Sequence, residues 1–171
     1  GYDPLTEVIG RGALSAAGVN FPLKKGDVAA RANFATLDRA GRVTDRRAGR
    51  IPTEVCEARC ALLKGIPGVT VVAEKDHRAV VVFHSVKGKG LHPDVTDTDP
   101  QATGVAPLAC KARSKKAAAL AKRVNAFVAE AGKRLAVFPQ ANGLLLRGFD
   151  VQPDLASLHS LYGIRSVALA S

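Results

Sequence analysis

GDVAARANFATLDRAGRVTDRRAGR, residues 26–50, is the stretch on which the reading of this chain turns. Residues 27–37 alternate well enough for a strand. Asp38-Arg39-Ala40-Gly41 has turn chemistry, with a glycine able to take positive φ. Residues 42–44 return as a partner strand, so the stretch predicts a β-hairpin. Side chains two apart on a strand share a face, which puts Arg31 and Asn33 on the same side. Asp45, Arg46, Arg47 and Arg50 follow where the second strand runs out. Guanidinium groups at a strand end, with an aspartate to orient one of them, form a fork-like receptor for phosphate or carboxylate. Arginines along a strand also serve simply to blunt a sheet edge. On hairpin and charge alone, the two readings stand level.

Outward from the hairpin, helices and strands are interspersed. Asp3-Pro4 caps and opens a short helix through Ala17, with Gly18 as its stop. Pro52-Thr53 opens a second helix that ends at Gly65, with Val55, Cys56, Leu62 and Leu63 expected to face inward. Residues 69–73 and 79–83 are β-branched runs separated by the polar turn EKDHR, and read as a strand pair. Residues 86–107 form a long loop rich in Gly, Pro and Asp, a length usually reserved for function or mobility. From 114 to 134 the apolar residues Leu120, Val124, Phe127, Val128, Ala131 and Leu135 recur at helical spacing. The lysines of that segment lie mostly off the stripe, as on a solvated face. A short strand over 144–146, a helix over 155–161 and a strand over 166–170 complete the chain. There are no internal repeats. The pattern predicts one α/β domain in which a mixed β-sheet is covered by helices.

The chain has 171 residues and a formal net charge of +10. The length suits one domain with a core of its own. No apolar run approaches the ~20 residues of a membrane-spanning helix, and no membrane role is expected. The first residues lack a basic segment followed by an apolar run, so no signal peptide is expected. Three cysteines do not make a disulfide framework. Cys56 and Cys60 on a helix, and Cys110 in a loop, read as small buried hydrophobes and not as metal ligands. A cytoplasmic, reducing location follows. The positive charge invites nucleic acid as a partner. Two tyrosines and no tryptophan leave few stacking platforms, however, and nucleic acid is not the expected partner.

Other polar groups admit more than one reading. His77-Arg78, at the mouth of a strand pair, can bind a carboxylate or phosphate or can simply be a polar turn. LHPDVTDTDP holds His92, Asp94, Asp97 and Asp99 within a few residues, a spacing that suggests divalent-metal ligands or Asx-turn chemistry. It lacks the Gly and terminal Glu of a calcium loop. VKGKG, residues 86–90, is no P-loop, since Lys-Ser/Thr is missing and no helix follows. Arg147 ends a strand. No nucleophile elbow, Cys–His pair or matched carboxylate pair stands out, so no catalytic residue is expected here.

Five segments in order resemble the archaeal-type cofactor-independent phosphoglycerate mutases, a branch of the alkaline phosphatase superfamily. They are GYDPLTEVIGRGALSAAG (1–18), GDVAARANFAT (26–36), VTDRRAGRI (43–51), HPDVTDTDPQATG (92–104) and NGLLLRGFDVQP (142–153). Enzymes of that family carry a phosphorylated serine and a two-metal Asp/His cluster in a phosphatase-like core, on either side of an inserted domain. The resemblance implies that residues 1–171 are that inserted domain, a lid that grips phosphoglycerate against the core of the same polypeptide. It implies interconversion of 3-phosphoglycerate and 2-phosphoglycerate in glycolysis and gluconeogenesis. It also implies two divalent ions, Mn²⁺ or Mg²⁺ with Zn²⁺ as an option, held by the core and not by these residues. The substrate-binding residues it suggests are Arg31, Asn33, Asp45, Arg46, Arg47, Arg50, His77, Arg78, His92, Asp97, Asp99 and Arg147. The acidic loop would orient arginines and substrate hydroxyls. A stand-alone basic anion- or nucleic-acid-binding module, or the lid of a related phosphotransferase, is the alternative.

Overall fold

Strand β1, Val28–Leu37, is the axis of the molecule. The computed structural model describes residues 10–153, and most of them are built around this strand. The expected hairpin is present but short: β1 meets β2, Val43–Asp45, only through Thr36↔Asp45 and Leu37↔Val43. The long partners of β1 come from far along the chain. Strand β4, Arg78–Phe83, lies along one edge, in register from Val28↔Phe83 to Asn33↔Arg78. Strand β5, Gly143–Asp150, lies along the other, from Ala29↔Asp150 to Ala35↔Gly143. Strand β3, Val69–Ala73, pairs with the outer side of β4.

The α/β class expected from the sequence is what the structure shows. The sheet, expected to be mixed, is antiparallel in every pairing among the described residues. The reason lies in the connections. β3 and β4 are joined by a tight turn, and the long connection through α3 carries the chain over β1, so that β4 and β5 run the same way but each pairs with the oppositely directed β1 between them.

Helix α1, Arg11–Gly18, ends at the predicted glycine. The expected start at Asp3, and the helix and strand expected beyond residue 154, lie outside the described residues. Helix α2 is Thr53–Leu62. Helix α3, Ala118–Leu135, is preceded by one tight turn, Lys115–Ala117.

Two layers of unequal size cover the sheet. On the first face, Val28, Ala30, Ala32 and Phe34 of β1 join Ala79, Val81 and Phe83 of β4 and Leu144 and Leu146 of β5. Cys56 and Cys60 of α2, and Leu120, Val124, Phe127, Ala131 and Leu135 of α3, close over them. Phe83 and Phe127 meet edge to face, with ring centroids 5.7 Å apart, a preferred geometry for an aromatic pair. Leu62, expected inward, is 43% exposed. It lies off the helix stripe, which runs through Cys56 and Cys60 to Leu63.

On the second face, Ala16 of α1 packs on Ala29, Val80 and Val82. The approach is tight: a Cβ on Gly12 would run into the carbonyl of Ala29. At the other end of this face, Ala35, Val43 and Leu145 form a third small cluster. The alanines of β1 let both layers close, which is why the strand is buried along most of its length instead of alternating.

Arg123 departs from the solvated-face expectation. Its guanidinium donates to the carbonyls of His84 (2.5 Å) and Gly68 (2.6 Å), tying α3 to the ends of β3 and β4. Cys56, Cys60 and Cys110 are buried free thiols.

Candidate anion-binding site

Between the two small apolar clusters of the second face the described residues leave the sheet uncovered, and arginines fill the gap. Arg31 on β1 stands opposite Arg147 on β5, and Asn33 on β1 stands opposite Arg78 on β4. All four share the side of the sheet that α1 covers at its other end. Two turns complete the wall. The turn after β2 brings Arg47 and Arg50, and the β3–β4 turn brings Asp76 and His77. The cavity so lined has a volume of about 390 Å³.

Its electrostatics are one-sided. Among the described residues, Arg31, Arg47, Arg50, Arg78 and Arg147 face a single lining carboxylate, Asp76. Arg31 Nε donates to Ser15 Oγ of α1 at 3.2 Å. Arg147 lies 3.8 Å from Asp99. Arg47, Arg50 and Arg78 have no carboxylate partner among the described residues. Like charges gathered in a half-buried cleft repel one another and raise the local potential, which favours an anionic occupant.

His77 is buried, and its Nδ1 has no hydrogen-bond partner among the described residues. Burial lowers its pKa from 6.5, and the charges of Arg78, Arg47 and Arg50 lower it further against the opposing pull of Asp76. The ring is therefore neutral at neutral pH and offers one donor and one acceptor. Asn33 Oδ1 is buried and likewise unpartnered. Two unsatisfied buried polar atoms in one cavity wall call for a partner from solvent or from a ligand.

Of the residues proposed from the sequence, the structure brings Arg31, Asn33, Arg47, Arg50, His77, Arg78 and Arg147 into this wall. It places the others elsewhere. Asp45 turns both oxygens onto backbone N–H groups, Arg47 N at 2.8 Å and Gly49 N at 2.7 Å. Arg46 forks onto Asp99 through Nε (3.1 Å) and Nη2 (2.7 Å). Burial pushes the Asp99 carboxyl up, but Arg46, the N–H of Gln101 and Arg147 together hold it below the usual carboxylate range. Asp97 accepts from Gly148 N at 2.9 Å. Thr98 Oγ1 accepts from Leu146 N at 2.8 Å, while Thr98 N donates to the Leu146 carbonyl. The acidic loop thus runs along the free edge of β5 and braces the strand that carries Arg147. His92 is exposed and accepts from Asp94 N at 3.3 Å.

Asp76 belongs to the wall and escaped the sequence reading. Its signal was present in EKDHR, because aspartate tolerates the left-handed backbone (φ 52°) that this turn requires.

Fold and cavity together describe an arginine-walled cavity cut into the second face of an antiparallel sheet. The chain belongs to the 2,3-bisphosphoglycerate-independent phosphoglycerate mutases, whose family model matches residues 1–140. A Deinococcus radiodurans protein named a probable mutase of this kind is 43% identical over the whole chain, which spans 43% of that relative. The Archaeoglobus fulgidus 2,3-bisphosphoglycerate-independent phosphoglycerate mutase 1 is 38% identical, and the chain spans 46% of it. The solved cofactor-independent phosphoglycerate mutase of Thermoplasma acidophilum superposes with a TM-score of 0.75 at 29% identity, covering 87% of this chain and 43% of that one. The chain thus spans less than half the length of the curated relatives it matches.

Proposed function

We propose that this chain is the substrate-gripping inserted domain of a phosphoglycerate mutase that interconverts 3-phosphoglycerate and 2-phosphoglycerate in the cytoplasm. The observation that carries the reading is the set of five arginines around one cavity, four of them (Arg31, Arg47, Arg50 and Arg78) without a carboxylate partner among the described residues. Two further features support it. The chain spans under half of its relatives, and Gly10 N donates to the Asp150 carboxylate, so the polypeptide enters and leaves the described unit at one point.

In this reading, Arg31, Arg47, Arg50, Arg78 and Arg147 hold the carboxylate and phosphate of the substrate. His77 and Asn33 supply hydrogen bonds to its hydroxyls, and Asp76 accepts one. The task is to retain glycerate while the phosphoryl group is carried elsewhere, which is positioning with electrostatic support. Closure against the rest of the same polypeptide excludes water.

The described residues do not fit the two divalent ions of the family's chemistry. No cluster of three or more His, Cys, Asp or Glu among them is placed for a metal. The oxygens of Asp45 and Asp99 are already taken by N–H groups and guanidinium. Metal and nucleophile belong, in this proposal, to the other part of the polypeptide.

Calorimetric titration of the 171-residue chain with 3-phosphoglycerate, beside a coupled mutase assay in Mn²⁺ or Mg²⁺, tests the reading. Saturable binding without turnover is expected. Turnover by this chain alone, or no binding of either phosphoglycerate, would sink it.

A further inference from the structure

Three consecutive residues at the rim of the cavity have a left-handed backbone: Ala48 (φ 47°), Gly49 (φ 66°) and Arg50 (φ 53°). Two of them carry a Cβ, and left-handed geometry costs such residues roughly 1–2 kcal/mol each. A turn of this kind persists only where its surroundings determine it, and such strain gathers at functional sites. The surroundings here are specific. From below, Asp45 holds Arg47 N and Gly49 N with its two oxygens, and Arg47 O receives Arg50 N at 2.8 Å. From the side, Gln140 Nε2 donates to the Ala48 carbonyl at 2.8 Å. That amide nitrogen also fills the space a Cβ on residue 49 would need, so a side chain there would push the amide off the carbonyl it holds.

Gln140 arrives from the connection between α3 and β5, and it arrives rigidly held. Ala141 N donates to Thr36 Oγ1 at 3.3 Å. Asn142 takes the Leu37 N–H at 2.7 Å and gives its amide to the Leu37 carbonyl at 3.1 Å. The clamp is thus anchored on the end of β1, the strand that presents Arg31 and Asn33.

We infer that Asp45 and Gln140 are positioning residues. Together they lock the left-handed turn 48–50 and so aim Arg47 and Arg50 at a bound anion, without touching it themselves. The inference deepens the anion-site reading and rests on it. It gives Asp45 a different task from the substrate contact expected of it, and it assigns a role to Gln140, 92 residues away in sequence from the carbonyl it holds.

NMR of the 171-residue chain tests it with two independent readouts. The first needs no ligand: the Nε–H resonances of Arg47 and Arg50, with the backbone couplings of Gly49 and Arg50. In Gln140→Ala the couplings should move toward averaged values and both arginine signals should lose dispersion, while Arg31 and Arg78 keep theirs. The second is titration with 3-phosphoglycerate, where affinity should fall about tenfold, what one lost hydrogen bond to a strained turn can carry. The thermal midpoint should hold within a few degrees. Gln140→Asn, which keeps the amide but shortens its reach, should fall between Gln140→Ala and the parent. Gly49→Ala, which attacks the same turn from the other side, should give the same arginine signature, and its double variant with Gln140→Ala should lose no more than the worse single. Unchanged couplings and dispersion in both Gln140→Ala and Gly49→Ala would overturn the clamp, whatever the titration shows. A parent chain that binds no anion while the couplings still respond would keep the clamp on the turn and overturn its role in binding, along with the site reading.

Discussion

The two faces of this sheet are made from the same five strands and have been finished in opposite ways. On the first, Ala30, Ala32, Phe34, Val81, Phe83 and Leu146 meet α2 and α3 in one continuous core. On the second, the apolar cover is in two patches, and between them stand Arg31, Asn33, Arg78 and Arg147. Alternation along β1 therefore does more than separate inside from outside. It separates groups that stabilise the fold from groups that destabilise it by mutual repulsion and are tolerated because the first face holds the structure. The core and the arginine cluster are written on alternate residues.

The sharpest way to break that contrast is to empty the first face. Phe83→Ala removes the edge-to-face partner of Phe127 from a fully buried site. It should cost about 3–5 kcal/mol in a denaturant melt, with anion affinity unchanged wherever the chain remains folded. A milder loss would mean that the core face is less decisive than its burial suggests.

On the second face the order should reverse. In the longer polypeptide, Arg47→Ala should lower kcat/KM about a hundredfold, taking the lost contact as ~2–4 kcal/mol of transition-state stabilisation, and leave the melting curve in place or slightly raised. Arg123→Ala is its counterpart. Its two carbonyl hydrogen bonds join α3 to β3 and β4, so it should cost about 1–2 kcal/mol of stability with kinetics intact. Lys122→Ala, on the exposed side of α3, is the silent control. Equal kinetics for the Arg47 and Arg123 variants would erase the division between faces.

The smallest effect expected is one of pH. His77 is held neutral by burial and by three arginines. Its folded pKa lies below the unfolded value of about 6.5, so the unfolded chain binds more protons in acid. Its share of stability is present above pH ~6.5 and is lost as pH falls through that value toward the folded pKa. His77→Asn should therefore flatten the stability curve between pH 7 and 5. A parent curve already flat there would show that the arginine field does not reach the ring.

How much of this was legible in the sequence follows from which interactions are local. The strand pair around EKDHR, the α3 stripe and the Gly18 stop rest on periodicity and turn chemistry, and each appears within a residue or a few of its expected place. The hairpin was read as the organising unit, yet β1 finds its long partners in β4 and β5. Pairing between distant strands depends on which faces are buried, and alanine-rich β1 does not advertise two buried faces. Arginine and histidine positions that line the cavity were legible through charge and through family resemblance. The fates of Asp45 and Asp99 were not, because whether a carboxylate meets a ligand, a guanidinium or two backbone N–H groups depends on a few ångströms of loop path. Gln140 carried no signal at all, since a lone glutamine in a connection has no pattern to be read.

One irregularity in β5 separates the faces in another sense. Between Arg147 and Asp150 this strand spends one residue more than its neighbour does between Arg31 and Ala29, and the surplus sits at Gly148, with φ 67°. Because the surplus is a single bulged residue, Phe149 still packs on the first face and Asp150 still stands opposite Ala29. Without it, the ladder would close up and keep that parity. What the extra residue holds is on the other side: α1 through the close approach of Arg11 and Gly12, and the Asp97 brace beneath Arg147. A gene that loses this one codon would disturb the α1 contact and the brace beneath Arg147 while leaving Phe149 on the core face, so the two faces of one sheet are free to evolve at different rates.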